Sequence, residues 1–168
     1  MQTTPHIRPA TQSDLPAIND IYNYYVLHSN CTYQEDLEPM AHRQEWFAHH
    51  GVEHPVIVAE FNGRIAGWGS LSPFHERSAY RHTVENSVYV HHEYQRHGIG
   101  SLLLNDLIDR ARRIGHRAII AGIDSEQSGS VALHAKFGFQ EAGRLNQVGF
   151  KSGRWLDVIY MELILSGS

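Results

Sequence analysis

The pattern of apolar and polar positions divides the chain into short strands and amphipathic helices. Near the start, Leu15, Ile18 and Ile21 recur at helical spacing after a capping Thr11 or Ser13, which predicts a helix running to about residue 27. Runs of branched and aromatic residues between turn signals predict strands. The other predicted helices span 39–49, 101–114 and 128–137, and the predicted strands span 7–10, 56–61, 64–71, 84–90, 118–123, 139–145, 148–151 and 155–165.

The order of these elements predicts the fold class. It is β-α-α-β-β-β-α-β-α-β-β, and Asn62-Gly63 supplies a hairpin turn between the second and third strands. We therefore expect an α/β protein of the α+β type, with a mixed sheet and helices on both faces. No linker, internal repeat or low-complexity segment interrupts the chain, so we expect a single domain over 1–168.

One stretch joins a strand, a glycine turn and a helix. Val84–Val90 is rich in branched residues, Gln95–Gly100 carries two glycines, and an amphipathic helix begins at about Ser101. Free main-chain N–H groups at the start of a helix, reinforced by the helix dipole, favour a bound phosphate group. The turn lacks the Gly-Lys-Ser/Thr ending of a Walker A loop and the three glycines of the dinucleotide fingerprint. An ordinary strand-to-helix connection is the alternative that these residues leave open.

Composition and charge mainly exclude classes of protein and kinds of site. The formal net charge of −4 argues against a general nucleic-acid binder. No apolar run approaches the ~20 residues of a membrane span, and the first residues lack the apolar segment of a secretory signal. Cys31 is the single cysteine, so no intrachain disulfide is possible, which fits a cytoplasmic location. The thirteen histidines include the adjacent pairs 49–50 and 91–92, whose side chains point to different sides, and we expect no metal site.

Two motifs resemble those of a known family. Gln95, Gly98 and Gly100 match the loop Gln/Arg-x-x-Gly-x-Gly/Ala, which is diagnostic of the GNAT superfamily of acyl-CoA-dependent N-acetyltransferases. About thirty residues later, the segment S-V-A-L-H-A-K-F-G-F at 130–139 resembles a second motif, where many members have Leu-Tyr-x-x-x-Gly-Phe. The two motifs occur in the expected order in a chain of the expected length.

Two further segments narrow the resemblance to one branch. Residues 79–90 and 149–158 closely resemble the phosphinothricin and methionine sulfoximine acetyltransferases, and the likeness extends from Ile7 to Leu165. It implies the GNAT fold, a central and mostly antiparallel sheet with a splayed parallel pair of strands. It also implies acetyl-CoA as cosubstrate, a small amino acid with a free α-amine as acceptor, and a homodimer. Acetylation of proteins or peptides, and acyl-CoA sensing without turnover, are the alternative functions.

The resemblance also places the cofactor. The pyrophosphate of CoA would bind the amides of the glycine turn, and the pantetheine arm would pair with the central strand. Gln127 is a departure, because relatives often have asparagine there. Lys136 would reach a CoA phosphate or else be a solvated helix lysine. The expected cofactor-binding residues are Val88, Tyr89, Val90, Gln95, Arg96, His97, Gly98, Ile99, Gly100, Ser101, Gln127, Ser130 and Lys136.

Two side chains are candidates for catalysis. Glu85 is a carboxylate in an otherwise apolar strand, where desolvation raises the pKa toward that of a useful general base. The alternative is that it faces solvent or pairs with Arg81 or His82. His134 lies where many relatives have the tyrosine thought to protonate the CoA thiolate, and an imidazole can act as an acid. The alternative is a hydrogen-bonded histidine on a short helix.

The acceptor pocket is expected to combine Tyr33, the loop at 74–77 and the central strand. Arg77 is predicted to bind the substrate carboxylate, because a guanidinium can hold it bidentately. A surface arginine on a mobile loop is the alternative. The expected substrate-binding residues are Tyr33, Phe74, His75, Glu76, Arg77, Glu85, Asn86 and Ser87.

Overall fold

Seven strands form one mixed sheet within residues 4–166, the part of the chain that the computed structural model describes. The strands are β1 (His6–Pro9), β2 (Val56–Phe61), β3 (Arg64–Pro73), β4 (Thr83–Val90), β5 (Ala118–Asp124), β6 (Gln140–Lys151) and β7 (Arg154–Ile164). The helices are α1 (Leu15–His28), α2 (Met40–Ala48), α3 (Ile99–Ile114) and α4 (Ser128–Lys136). Short 3-10 turns occur at Gln12–Asp14, Ser78–Tyr80 and His92–Tyr94. Both ends of the predicted domain, at 1 and 168, lie outside the described residues.

Helices cover both faces of this sheet, as the order of elements predicted. On one face, α1 buries Ile18 and Ile21 against Val58 and Trp68, and α2 packs beside it. On the other face, α3 buries its leucine stripe against β2, β3 and β4, and α4 packs at the edge of the same core. The apolar stripe of α3 and the alternation within the strands therefore identify the core, and the predicted fold class is confirmed.

The strand order is β1-β2-β3-β4-β5-β7-β6, and β4–β5 is the parallel pair. These two strands pair only at Thr83–Ala118, Val84–Ile119 and Glu85–Ile120. Beyond that point β4 stays paired with β3 while β5 stays paired with β7. The sheet therefore splits into two halves that diverge after Glu85.

The two strands predicted at 139–145 and 148–151 are one continuous strand, β6. The prediction of an interruption was wrong because the register shift between Leu145 and Gly149 is absorbed within the ladder. Gln147 takes a left-handed conformation with φ 57° at this point, and its N–H donates to Asp157 Oδ1 at 2.8 Å. An irregularity of this kind lets a strand continue past residues that break its alternation. The other predicted boundaries differ from the observed ones by one or two residues.

Candidate active site

The split between β4 and β5 opens into a cleft of about 820 Å³. Its walls are β4, the glycine turn with the start of α3, the far half of β5, α4, and the loop after α1. Gly122 on β5 keeps the gap open, because a Cβ there would lie 3.3 Å from the Tyr160 ring and 3.6 Å from Glu85 Oε1. The volume falls in the range of pockets that hold small-molecule ligands.

Unpaired main-chain donors line one end of the cleft, at the glycine turn. Arg96 and Gly98 take left-handed conformations, with φ 68° and 76°, and α3 begins at Ile99. The main-chain N–H groups of 96–101 donate no hydrogen bond to any group in residues 4–166. Donors in such a nest, at the positive end of a helix dipole, bind anions. The turn therefore fits the pyrophosphate of CoA.

Glu85 lies where the two strands separate, and its side chain lines the cleft. Burial raises the pKa of its carboxyl, and the nearby His75 opposes that rise. The alternatives are not observed in the described part of the chain: Glu85 pairs with neither Arg81 nor His82, and its side chain is only partly exposed. The carboxylate is thus partly desolvated at the point where a ligand bound between the strands would pass, as a general base requires.

Asn86 and His134 form a buried pair on the α4 side of the cleft. Asn86 Nδ2 lies 3.0 Å from His134 Nε2, and His134 Nδ1 lies 2.8 Å from Ser130 O. A carbonyl oxygen can only accept, so Nδ1 carries the proton and Nε2 accepts from the Asn86 amide. Burial lowers the pKa of His134, so the imidazole is neutral near pH 7. Asn86 Oδ1 is buried and finds no hydrogen-bond partner among residues 4–166.

The acceptor loop, residues 29–38 between α1 and α2, forms the opposite wall and contributes Cys31, Thr32 and Tyr33. The Tyr33 hydroxyl donates to Asp124 Oδ1 at 2.7 Å and lies 3.1 Å from Asp157 O. Burial, assisted by the Asp124 carboxylate, raises the pKa of Tyr33, so the phenol keeps its proton. Tyr33 is therefore a fixed and protonated part of the wall.

The structure brings most of the predicted site residues to this cleft. Those that line it are Tyr33, Glu85, Asn86, Ser87, Val88, Tyr89, Val90, Gln95, Arg96, Gly98, Ile99, Gly100, Ser101, Gln127, Ser130 and His134. Those that do not line it are Phe74, His75, Glu76, Arg77, His97 and Lys136.

Two of the predicted residues meet the cleft in a way that the sequence did not indicate. Asn86 turns away from the face that carries Glu85 and Ser87, because alternate residues of a strand face opposite sides of the sheet. The Gln95 amide donates to the Tyr25 hydroxyl at 2.9 Å, and that hydroxyl donates to Val90 O. Gln95 therefore ties the glycine turn to α1.

The loop 74–77 lies beside the cleft rather than in it. Arg77 is exposed and precedes the short turn at Ser78–Tyr80. The rings of Phe74, His75 and Tyr80 pack together at centroid distances of 4.0 to 5.9 Å. The Phe74 N–H donates to Thr83 O at 3.3 Å, so the loop begins beside β4 close to Glu85 in sequence.

The sequence reasoning missed several residues of the cleft. Tyr25 and Cys31 line the cleft, although neither is among the site residues that the sequence predicts. Asp124 carried a usable signal, because a carboxylate directly after the apolar run A-I-I-A-G-I stands at the end of a buried strand. Tyr160 carried no such signal in the sequence, because the alternation of side chains in β7 does not show which face of the strand meets a ligand.

Metal-ligating side chains do not cluster in the described residues: no group of three or more His, Cys, Asp or Glu lies together between 4 and 166. His50 and His54 have the spacing of a helical zinc motif. However, His50 follows α2, and its ring nitrogens lie 2.7 Å from Trp46 O and 2.9 Å from Ser72 Oγ. Among residues 4–166, none of the helices has the length and apolar character required to cross a bilayer.

Comparisons with known proteins match this geometry. The sequence profile of the acetyltransferase (GNAT) family matches residues 19–139. An L-methionine sulfoximine/L-methionine sulfone acetyltransferase of Salmonella typhimurium is 41% identical over 160 residues, which cover 95% of this chain and 94% of that protein.

Two solved structures are similar over nearly their whole length. A phosphinothricin acetyltransferase from Sinorhizobium meliloti in complex with acetyl-CoA superposes with a TM-score of 0.94 and 37% identity, covering 99% of this chain and 91% of that one. A ribosomal-protein-alanine N-acetyltransferase from Brucella melitensis gives a TM-score of 0.92 and 42% identity, covering 95% of this chain and 99% of that one. With the cleft and its unpaired amides, these matches show that the chain belongs to the acetyltransferase (GNAT) family of N-acetyltransferases.

Proposed function

We propose that this chain transfers the acetyl group of acetyl-CoA directly to the α-amine of a small amino acid or analogue. The observation that carries the proposal is the split sheet, which places free main-chain donors at one end of a cleft and the Glu85 carboxyl where the two strands separate. The similarity to the Salmonella typhimurium and Sinorhizobium meliloti enzymes supports methionine sulfoximine, methionine sulfone and phosphinothricin as acceptors to test.

Main-chain groups hold the cofactor in this proposal. The amides of 96–101 bind the pyrophosphate. The β4 residues after Glu85 have no strand partner on the β5 side, so their main chain is free to pair with the pantetheine arm. An N–H group near Val88 then faces the thioester carbonyl and stabilises negative charge on its oxygen. Acetyl-CoA supplies the activated acetyl group.

Glu85 acts as the general base. An amine is mostly protonated at neutral pH and must lose a proton before it attacks the thioester. A carboxyl whose pKa is raised by burial accepts that proton more readily than an exposed one does. The role of His134 as general acid stays a prediction. Its hydrogen bonds, with Nδ1 donating to Ser130 and Nε2 accepting from Asn86, instead suit a positioning role.

Arg77 as the ligand of the substrate carboxylate also stays a prediction. Its loop begins beside β4, where the Phe74 N–H donates to Thr83 O at 3.3 Å, and the role requires Arg77 to move toward an acceptor bound at Glu85. Arg77→Gln should then raise the KM of the amino acid and leave the KM of acetyl-CoA unchanged. An equal change in both constants would contradict this role.

Steady-state turnover tests the proposal, with release of free CoA thiol as the signal. Methionine sulfoximine, methionine sulfone and phosphinothricin should be acetylated, and mass spectrometry should find the added acetyl group on the α-nitrogen. Absence of turnover across a broad panel of α-amino acids, with acetyl-CoA demonstrably bound, would reject the substrate class.

Acetylation of a protein N-terminus is the second candidate. The 42% identity to the Brucella melitensis protein favours it, since that identity is as high as to the amino-acid enzymes. A peptide with an N-terminal alanine separates the two functions when assayed beside the free amino acids. The fixed wall at Tyr33 narrows the acceptor end, and we expect the free amino acid to be the better substrate.

We also propose that the protein is a homodimer formed through the β6–β7 hairpin. β6 is an edge strand and is exposed along almost its whole length. Leu145, Val148, Phe150 and Trp155 are each about half exposed or more there, which is unusual for a monomer surface. Light scattering should give twice the chain mass, and Trp155→Ser should shift the protein toward monomer. The cytoplasmic location stays a prediction.

A further inference from the structure

The sequence segment Gly149–Arg154, at the tip of the β6–β7 hairpin, belongs to the resemblance but has no role in the chemistry described so far. None of its residues lines the cleft within the described chain. Its inward-facing side instead contacts the acceptor loop through hydrogen bonds and packing, and that loop lines the cleft. The contacts join residues more than a hundred positions apart in sequence.

Lys151 makes the central contact. It is 7% exposed, and its Nζ donates to Ser29 O at 2.7 Å and to Thr32 O at 2.8 Å. A buried ammonium is costly unless its donors are satisfied, and here the carbonyls of the acceptor loop satisfy it. Ser152 Oγ adds a hydrogen bond of 3.0 Å to Asn30 Oδ1. The hairpin therefore fixes the main chain of the loop on both sides of Cys31.

Gly149 makes the second contact, with the Tyr33 ring. A Cβ at this position would lie 2.6 Å from Cε2 and 2.7 Å from Cδ2 of that ring, a distance that real Cβ atoms do not tolerate. The ring cannot swing aside without moving its hydroxyl, which donates to Asp124 Oδ1 at 2.7 Å and lies 3.1 Å from Asp157 O. The absence of a side chain at Gly149 thus lets the Tyr33 ring keep its present position in the cleft wall.

We infer that Gly149 and Lys151 are positioning residues that hold Tyr33 in place and thereby set which amine acceptors the cleft admits. We call the contacts of Gly149, Lys151 and Ser152 with residues 29–33 the clamp. The identity of the acceptor rests on the proposed function, but the existence of the clamp does not. The cofactor end of the cleft shares no residue with this clamp, so the two ends should respond separately to its removal.

Cys31 offers a direct measurement of the clamp. It is the single cysteine of the chain, is only partly exposed, and lies between the two carbonyls that Lys151 holds. Gly149→Ala should speed the reaction of Cys31 with N-ethylmaleimide by about tenfold, because the loop then opens more often. Lys151→Met should also speed it when the rates are compared at equal thiol ionisation, since the Lys151 charge lowers the pKa of Cys31. Gly51→Ala is the control: Gly51 lies outside the hairpin and does not line the cleft, its Cβ would meet nothing within 4 Å, and the labelling rate should stay that of the wild type.

Kinetics then test the consequence for the acceptor. Gly149→Ala should raise the KM of the amino acid about tenfold and change the KM of acetyl-CoA less than about twofold. In a Tyr33→Ala background, Gly149→Ala should have no further effect, since the ring it would strike is gone. If Gly149 only stabilised the fold, its replacement would still have an effect in the Tyr33→Ala background and would change both KM values together.

The outcomes separate the clamp from the function. Unchanged Cys31 labelling in both variants overturns the clamp. Faster labelling with an unchanged acceptor KM overturns its role in specificity. If the wild type acetylates no amino acid, the proposed function fails and the specificity role fails with it, but the labelling result still decides the clamp. Acetyl-CoA binding by each variant confirms that it is folded.

Discussion

The two ends of the cleft are built from different parts of the polypeptide. At the end where we propose that the cofactor binds, the wall offers main-chain groups of one continuous stretch, from β4 through the start of α3. At the acceptor end, the wall consists of side chains that meet across the fold: Tyr33 contacts Asp124, and Lys151 contacts the acceptor loop. Main-chain contacts survive most changes of side chain, whereas a wall made of side chains changes with each substitution. We therefore expect most substitutions in the cleft to affect the choice of acceptor more than the affinity for the cofactor.

Glu85 stands between the two ends, and replacing it should give the largest effect. Glu85→Gln removes the proton acceptor but keeps the size of the side chain, so kcat should fall on the order of 10²–10³-fold. The affinity for acetyl-CoA, measured by calorimetry, should not change. Glu162→Gln, a half-buried strand glutamate outside the cleft, is the control. A loss of less than about threefold would assign the base to another group.

The pH dependence of kcat/KM tests the general-base role of Glu85 independently. A base works when deprotonated, and burial raises the pKa of Glu85, so kcat/KM of the wild type should decline as the pH falls through that raised value. The Gln variant should lack this limb. A limb that persists in Glu85→Gln would show that a different group titrates.

Gly98 tests the cofactor end. Its φ of 76° suits glycine, and a branched side chain there strains the turn that presents the free amides. Gly98→Val should weaken acetyl-CoA binding by about tenfold or more. Gly115, at the other end of α3 with φ 101°, is the matched control, because Gly115→Val carries the same strain far from the cleft. Equal losses of affinity in the two variants would point to general distortion of α3 instead of loss of the anion site.

His134→Gln should have a smaller effect. The glutamine amide oxygen can still accept from Asn86, so kcat should fall by less than about tenfold. The imidazole is held neutral by burial and is a poor acid near pH 7. A decrease of a hundredfold, with an unchanged KM for acetyl-CoA, would instead support the general-acid role expected from the resemblance.

The smallest effect concerns stability. A carboxyl whose pKa is raised by folding favours the folded state at low pH, and that contribution is lost as the pH rises through the raised value. Glu85→Gln should therefore raise the unfolding temperature at pH 7, and the difference should vanish below about pH 4, where the unfolded carboxyl is also protonated. If the wild type and the Gln variant had equal unfolding temperatures at pH 7 as well as below pH 4, Glu85 would not be desolvated in the free enzyme.

The local features of this fold can be predicted from the sequence. Helix periodicity, strand composition and the glycine turn fix the strand–turn–helix unit from Thr83 to Ile114, because each depends on residues a few positions apart. The cofactor end of the cleft belongs to this unit, so its residues could be predicted by position. The resemblance added the chemistry that periodicity cannot supply.

Features that depend on the direction and distance of side chains follow only from the packing of the whole fold. That packing turned Asn86 toward His134, left Arg77 outside the cleft, and joined Tyr33 to Asp124 across 91 positions. It also continued β6 through the break that its sequence suggests, because β7 supplies Asp157 as a partner for Gln147. Such contacts form only when distant segments pack together, and no spacing along the chain encodes which buried donor meets which acceptor.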